Sequence, residues 1–337
     1  MSATTGAMSQ GRGLLATARR LLGSQEAILL LLLVVLFFGV GLYNDRFFGW
    51  NNVTDLFSVN AYIAVAAIGM SMIIITGNID ISVGAAIGVL VTLSGNVALA
   101  LADTGLPLPV VNILAWAAPV IGAVFISAIN GFFVAYLGIP AIVVTLGMFS
   151  ILKGGLILVA GGATIYNLPE GYGFAQWDWL GIPVPVYIMV ALTAVAFVWM
   201  RWSRTGRSQY AVGGNREAAR LSGLDTRRTI MSTFLIAGVF YGIASAMFAT
   251  QFTTIQAVAT PGLELQVITA SVVGGVSILG GVGTVLGSTL AAILIRFIGA
   301  GLVFVDISPF WTRAILGVMI LATVLADVVR RRRQERQ

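Results

Sequence analysis

Across 337 residues there is no histidine and no cysteine, and lysine occurs once, at Lys153. These absences remove the thiol nucleophiles, the His-containing triads and the Cys or His zinc sites. Leu152, not glycine, precedes Lys153, so a G-x-x-x-x-G-K-[ST] phosphate loop is missing and the chain cannot hydrolyse ATP by that route. No catalytic residue and no metal ligand is assigned, and an enzyme is not expected. What remains is oxygen and amide chemistry among apolar residues. In Gly77-Asn78-Ile79-Asp80-Ile81-Ser82-Val83-Gly84 an amide, a carboxylate and a hydroxyl stand at alternate positions between glycines, and Asn130 supplies a further amide. Asn78, Asp80, Ser82 and Asn130 are candidates to line a path for a hydroxyl-rich solute, because broken helices at membrane depth are tolerated along a wet path. The plainer alternative is that Asp80 caps the following helix through its side-chain oxygen.

The elements that must position these groups follow from composition. The chain is 58% hydrophobic and 9% charged, where soluble domains are roughly 45–50% apolar and about 25% charged. Too few charges exist to coat a soluble core, so the apolar excess faces lipid. The expected fold is all-α: a polytopic helical membrane protein of about ten transmembrane helices. Uncharged stretches give spans near 27–44, 56–79 and 81–102, then 104–152, which is too long for one crossing and breaks at Gly138 and Pro140. Further spans read as 141–160 with Lys153, 184–200, 230–250, 266–279, 284–304 with Arg296, and 313–326. The eighth, 266–279, runs into Gly274, Gly275, Gly280 and Gly281, which reads as helix packing with a Gly-broken or re-entrant segment. Lys153 and Arg296 must face a cavity or snorkel, and a partner for Lys153 in Asp80 or Glu264 is conceivable.

Ten crossings put both ends of the chain on one side. That side then carries Arg12, Arg19, Arg20, seven arginines between 201 and 228, and five more from Arg330 to Arg336, 15 of the 19 basic residues. By the positive-inside rule it is the cytoplasmic side of the membrane. The formal charge of +6 is accounted for by this asymmetry, so no nucleic-acid partner is implied. The chain divides into a cytoplasmic segment 1–26, a transmembrane domain 27–329 that includes a polar loop 201–229, and a basic cytoplasmic tail 330–337. The first span reads as an uncleaved helix, because the residues after it offer no small-residue cleavage site. On the far side, Tyr166, Tyr172, Phe174, Trp177 and Trp179 read as an aromatic belt at the headgroup level.

The 201–229 loop is too large to be only a turn. Asn215 can cap a helix, Glu217 suits its positive first turn, Ala218 and Ala219 favour helix, and Gly223 can stop it in the left-handed conformation. This predicts a two-turn helix over 216–222 that offers the small Ala218 and Ala219 to another protein. The alternative is an arginine-rich loop that binds anionic lipid headgroups.

Glu217-Ala218-Ala219 with Gly223 resembles the EAA-type coupling loop of ABC-transporter permeases, without the Leu-Pro that often ends it. The Asp80 segment is similar to the Gly-Gly-Ile-Asp-Leu-Ser-Val-Gly signature of the sugar-type permeases of ribose, xylose, rhamnose and autoinducer-2 importers, with Asn78 in place of a glycine. Asn130-Gly131, Gly138-Ile139-Pro140 and Thr145-Leu146-Gly147 resemble a second stretch. Gly274-Gly275-Val276-Ser277 with Gly280-Gly281-Val282-Gly283 and Gly287 resembles a third, which branched-chain amino-acid permeases share. The likeness runs from about Leu56 to Asp327. It implies the permease subunit of an ABC importer for a monosaccharide or similar solute, with no cofactor of its own. ATP would be used by a separate ATP-binding cassette subunit docking at Asn215, Glu217, Ala218, Ala219 and Gly223. The other implied partners are a second permease copy or paralogue and a periplasmic sugar-binding protein, within membrane lipid. Alternatives are a branched-chain amino-acid or nucleoside ABC permease and an ion-gradient-driven secondary transporter.

Overall fold

The structure is a computed structural model that describes residues 25–161, 163–256 and 262–334, with side chains described throughout except at 159–160 and 330–334. Arg12, Arg19, Arg20 and Arg336, which bear on the orientation argument, lie outside the described residues, as do the side chains of Arg330 to Arg333.

In chain order the helices are α1 Gln25–Tyr43, α2 Trp50–Ser58, α3 Ala61–Ile75, α4 Val83–Ala102, α5 Leu108–Ala135, α6 Ala141–Ala160 and α7 Val184–Trp202. After these come α8 Arg204–Gly214, α9 Arg216–Leu221, α10 Thr226–Ala249, α11 Leu263–Val273, α12 Val285–Phe304 and α13 Trp311–Gln334. Among the described residues strand pairing is confined to β1 Thr164–Ile165 with β4 Ile255–Gln256, and β2 Asp178–Trp179 with β3 Ile182–Pro183. Among the described residues nine helical stretches are long and apolar enough to cross a membrane, with α2 and α3 together forming one of 26 residues. The segment expected as the eighth span is the 11-residue α11. At ~1.5 Å per residue it reaches only about half of a ~30 Å hydrocarbon layer.

Burial sorts the helices by the faces their sequences offer. α3 is apolar all round, and every residue from Ile63 to Ile75 is buried, as expected of a helix enclosed by others. α1, α6 and α13 instead expose large apolar side chains such as Leu31, Leu158 and Leu321, the composition of a lipid-facing wall. α5 and α10 form the largest interface. There Gly242 of α10 lies on the backbone of Pro119 and Val120, where a Cβ would collide. Small residues and buried hydroxyls join the core helices: the Ser71 hydroxyl of α3 lies 2.6 Å from that of Ser288 of α12 and 3.3 Å from that of Ser271 of α11, and Thr193 of α7 shares a 2.9 Å bond with Thr289 of α12.

Hydrogen bonds between loops define the two ends of the bundle. At one end Gln25 Nε2 donates to the Val273 carbonyl, Thr284 Oγ1 to Glu26, Ser277 Oγ to Asp327, and Tyr210 OH to the Gly283 carbonyl. The start of α1, the far part of α13, α8 and the α11–α12 loop therefore share one end. At the other, Asn44 Nδ2 donates to the Phe304 carbonyl, Gln251 Nε2 to Val59, and Gln176 Nε2 to Thr250.

The 161–183 segment at this second end departs from a simple aromatic belt. Trp177, Trp179 and Tyr166 are exposed, but Tyr172 is buried, its hydroxyl 2.7 Å from Ser94 Oγ, and Trp116 Nε1 donates to its carbonyl at 2.9 Å. Burial pushes the Tyr172 phenol up to about 12. The ring anchors the loop onto α4 and α5 because its hydroxyl finds a partner there.

Candidate coupling surface and translocation site

The polar 201–229 segment folds as two helices, only one of which its sequence announced. α9 forms as its capping residues dictate: the Asn215 side chain accepts from Ala218 N at 2.9 Å. Gly223 has φ +84°, with its N–H bonded to Arg220 O and the Leu224 N–H to Ala219 O. This paired closure is the Schellman arrangement, which needs a left-handed residue after the cap. Arg220 bonds Glu217 at 2.6 Å and holds its carboxyl below the usual range. The two alanines, however, point different ways. Ala218 is exposed, whereas Ala219 is buried at 5% exposure; the outward face is completed by Leu221, 78% exposed, one turn from Ala218.

α8 was not legible, because glycine at 206, 213 and 214 gives the stretch little intrinsic helix propensity. Ser203 caps it by accepting from Gly206 N at 2.8 Å, and its glycines are contact points. A Cβ on Gly213 would collide with the carbonyl oxygen of Ile75, where α3 ends, and one on Gly281 would lie 2.6 Å from Gly214 Cα. Gly281 N also donates to Ile75 O at 2.9 Å. The α8–α9 junction, the end of α3 and the α11–α12 loop thus meet backbone to backbone. Gln209, wholly buried on the inner face of α8, has no hydrogen-bond partner among the described residues for either side-chain polar atom.

The glycines after α11 serve this seam. Gly274, the last cap of α11, lies against Gly287 and Ser288 of α12. Gly275 (φ +93°) adjoins the Gln25 side chain, and Gly280 (φ +84°) meets Gly213 O and Gly77. Close approach is real at all four positions. Only Gly274 makes it between helices, while Gly275, Gly280 and Gly281 do so from a loop.

The Asp80 segment follows the end of α3 directly. Asp80 Oδ1 accepts from Ser82 N at 2.9 Å and from Ser82 Oγ at 2.5 Å, and Asn130 Nδ2 of α5 donates to Ser82 Oγ at 2.9 Å. These three residues form one knot, 1%, 1% and 0% exposed. Thr145 of α6 accepts from Ile81 N and fixes the segment from the other side. Burial raises the Asp80 carboxyl to about 6, against the lowering effect of its Ser82 and Asn130 bonds. Asn78 stands apart, donating to Thr76 Oγ1 and O. The Ser82 N bond closes an Asx turn ahead of α4, whose N-cap is Ser82 without a side-chain capping bond, so Asp80 braces the approach to the helix and does not cap it, and the knot does not line the cavity described below. Gly84 allows Glu264 of α11 to lie on the first turn of α4.

Lys153 pairs with neither Asp80 nor Glu264: it is exposed and stands over the Phe149 ring at 5.0 Å. Gly154 and Gly155 beside it meet nothing within 4 Å. Among the described residues Arg296 forms no ion pair and its Nε has no hydrogen-bond partner; Asp55 of α2 is the carboxylate whose charge acts on it.

The protein family described as branched-chain amino acid transport system / permease component matches residues 52–324. The chain belongs to this family. Autoinducer 2 import system permease proteins resemble the permease over nearly its whole length. That of Salmonella typhi is 33% identical over 313 residues, covering 90% of this chain and 86% of the other. That of Photorhabdus luminescens is 32% identical over 311 residues, 91% of each chain, and that of Yersinia pseudotuberculosis 32% over 305 residues, 90% and 85%. No solved structure matches the permease. It is a multi-pass membrane permease of the ABC importer type and not an enzyme, so ATP is used by a partner subunit and the transport system includes a solute-binding protein.

Proposed function

We propose that the permease carries a monosaccharide or a related small polyhydroxylated solute, such as the autoinducer 2 named for its relatives, into the bacterial cytoplasm. An ATP-binding subunit acts on α9 to drive it. The observation that carries this reading is the surface at Ala218 and Leu221, held on a helix capped at both ends and joined through Gly213 and Gly214 to the turn that leads to Asp80. A push on α9 therefore reaches the end of α3 and the α11–α12 loop through backbone contacts that cannot yield by a rotamer change. The end bearing α9, the start of α1 and Asp327 is the cytoplasmic one, in keeping with the seven arginines between 201 and 228. A second permease copy and lipid share the bare outer faces of α1, α6 and α13.

In this scheme Asp80, Ser82 and Asn130 hold the start of α4 in place beside the path, and their knot opens toward the solute only in another conformation. Glu217→Arg tests the coupling surface. It reverses a charge on an exposed residue, so the permease should stay folded while co-purification with the ATP-binding subunit is lost. Undiminished association would rule out this docking site.

A further inference from the structure

A cavity of about 510 Å³ lies at the ends of α3 and α10 farthest from α9, against Val91 midway along α4. Its aromatic wall is continuous. Tyr62 of α3 stacks on Phe248 of α10 with ring centroids 4.4 Å apart and planes at 16°, and Phe252 stands edge-on to Phe248 at 6.0 Å. Facing these rings are Thr253, Thr254 and Gln256, from the segment that β4 ties to β1. Neither these three side chains nor the Tyr62 hydroxyl has a hydrogen-bond partner among the described residues. The site is at the outer end of the most enclosed helix, α3, and not on the lipid-facing flank.

We propose that this cavity is the outward subsite in which a neutral, monosaccharide-sized solute first sits after leaving the solute-binding protein. The inference rests on the importer reading above and adds the residues that would recognise the solute. A sugar ring has apolar C–H faces and a rim of hydroxyls. The faces can lie on Phe252 and Phe248, as amphipathic rings favour. Tyrosine and threonine hydroxyls and a glutamine amide all both donate and accept, which matches hydroxyl groups of either orientation. The volume falls in the usual ~300–1,000 Å³ range of small-molecule sites, which are mostly apolar with a few placed polar groups. Among the described residues the lining carries no charged side chain, so the ammonium and carboxylate of an amino acid would enter unpaired, at a desolvation cost a sugar avoids.

The natural absence of cysteine gives the test a clean background. Thr254→Cys, and separately Thr253→Cys, would be introduced into the full importer with its ATP-binding and solute-binding subunits in proteoliposomes. A membrane-impermeant maleimide added outside would then be challenged with D-ribose, D-xylose, L-rhamnose, autoinducer 2 or L-leucine, with transport of each measured in parallel. The transported sugar should slow labelling at both positions. Tyr62→Phe in either background should raise the half-protecting concentration about tenfold, the loss of one hydrogen bond worth ~1.4 kcal/mol. A sugar that is transported yet leaves labelling unchanged overturns the subsite while the importer reading stands. Transport of L-leucine alone, or of no sugar in the panel, overturns both.

Discussion

Asp80 shows how one residue can serve the fold at a cost the solvent sets. Its carboxylate is sealed among apolar helices, and the donors around it, Ser82 and Asn130, offset that burial only in part, so its folded-state pKa, about 6, lies above the ordinary value of 3.8. The folded protein then binds a proton more tightly than the unfolded chain. Stability should therefore rise as pH falls from above 6 towards 4, and should be lowest and level above 6. Thermal unfolding of the detergent-solubilised permease should show this gain between pH 7.5 and 5. In Asp80→Asn the gain should vanish, because the amide oxygen still accepts from Ser82 N but does not ionise. Asp80→Ala leaves the Ser82 N–H and hydroxyl without an acceptor and should lose about 1–3 kcal/mol at either pH. If Asp80→Asn instead abolishes transport with stability intact, the charge itself acts on the solute path and bracing the start of α4 is not its role.

At the scale of elements, α9 is a case where local sequence is sufficient. At six residues it is too short to persist on its own, so its caps carry much of the structure. Asn215→Ala should weaken it by about 1 kcal/mol and lower the ATPase's affinity for the permease, measurable by titrating the purified subunits. Asn215→Asp or Asn215→Ser, which keep a side-chain acceptor, should restore both. The seam behind α9 behaves differently, since its residues meet through backbone. Gly213→Val would drive side-chain atoms into the Ile75 carbonyl and separate α8 from the end of α3. The expected result is an importer that assembles and hydrolyses ATP yet transports little, read as a fall in solute moved per ATP. An unchanged ratio would show that motion passes by another route.

For the whole molecule, orientation is the property on which the mechanism depends. Ala218→Cys should react with an impermeant thiol reagent only when the cytoplasmic side is accessible, and Trp177→Cys only from outside, because these residues lie at opposite ends of the bundle. Labelling of Ala218→Cys in intact cells would place the coupling surface outside and defeat the proposed scheme.

Composition alone determined that the chain is a helical membrane protein, because 58% hydrophobic residues leave no soluble alternative. Charge spacing located most of the spans. The capping residues at 215 and 223 and the Gly138–Pro140 break were legible because they act within a few residues of themselves. The half-length of α11, the helical state of 204–214, the inward turn of Ala219 and the burial of Tyr172 were decided only by tertiary structure. In each of these the local pattern is ambiguous, and a contact far along the chain resolves it. Gly213 meets Ile75 and Gly281, and Tyr172 meets Ser94. The same reason separates the two polar groupings. Asp80 and Asn130 draw the eye in sequence but are enclosed in the fold, whereas Tyr62 and Gln256, unremarkable in the chain, are brought 194 positions together around one cavity.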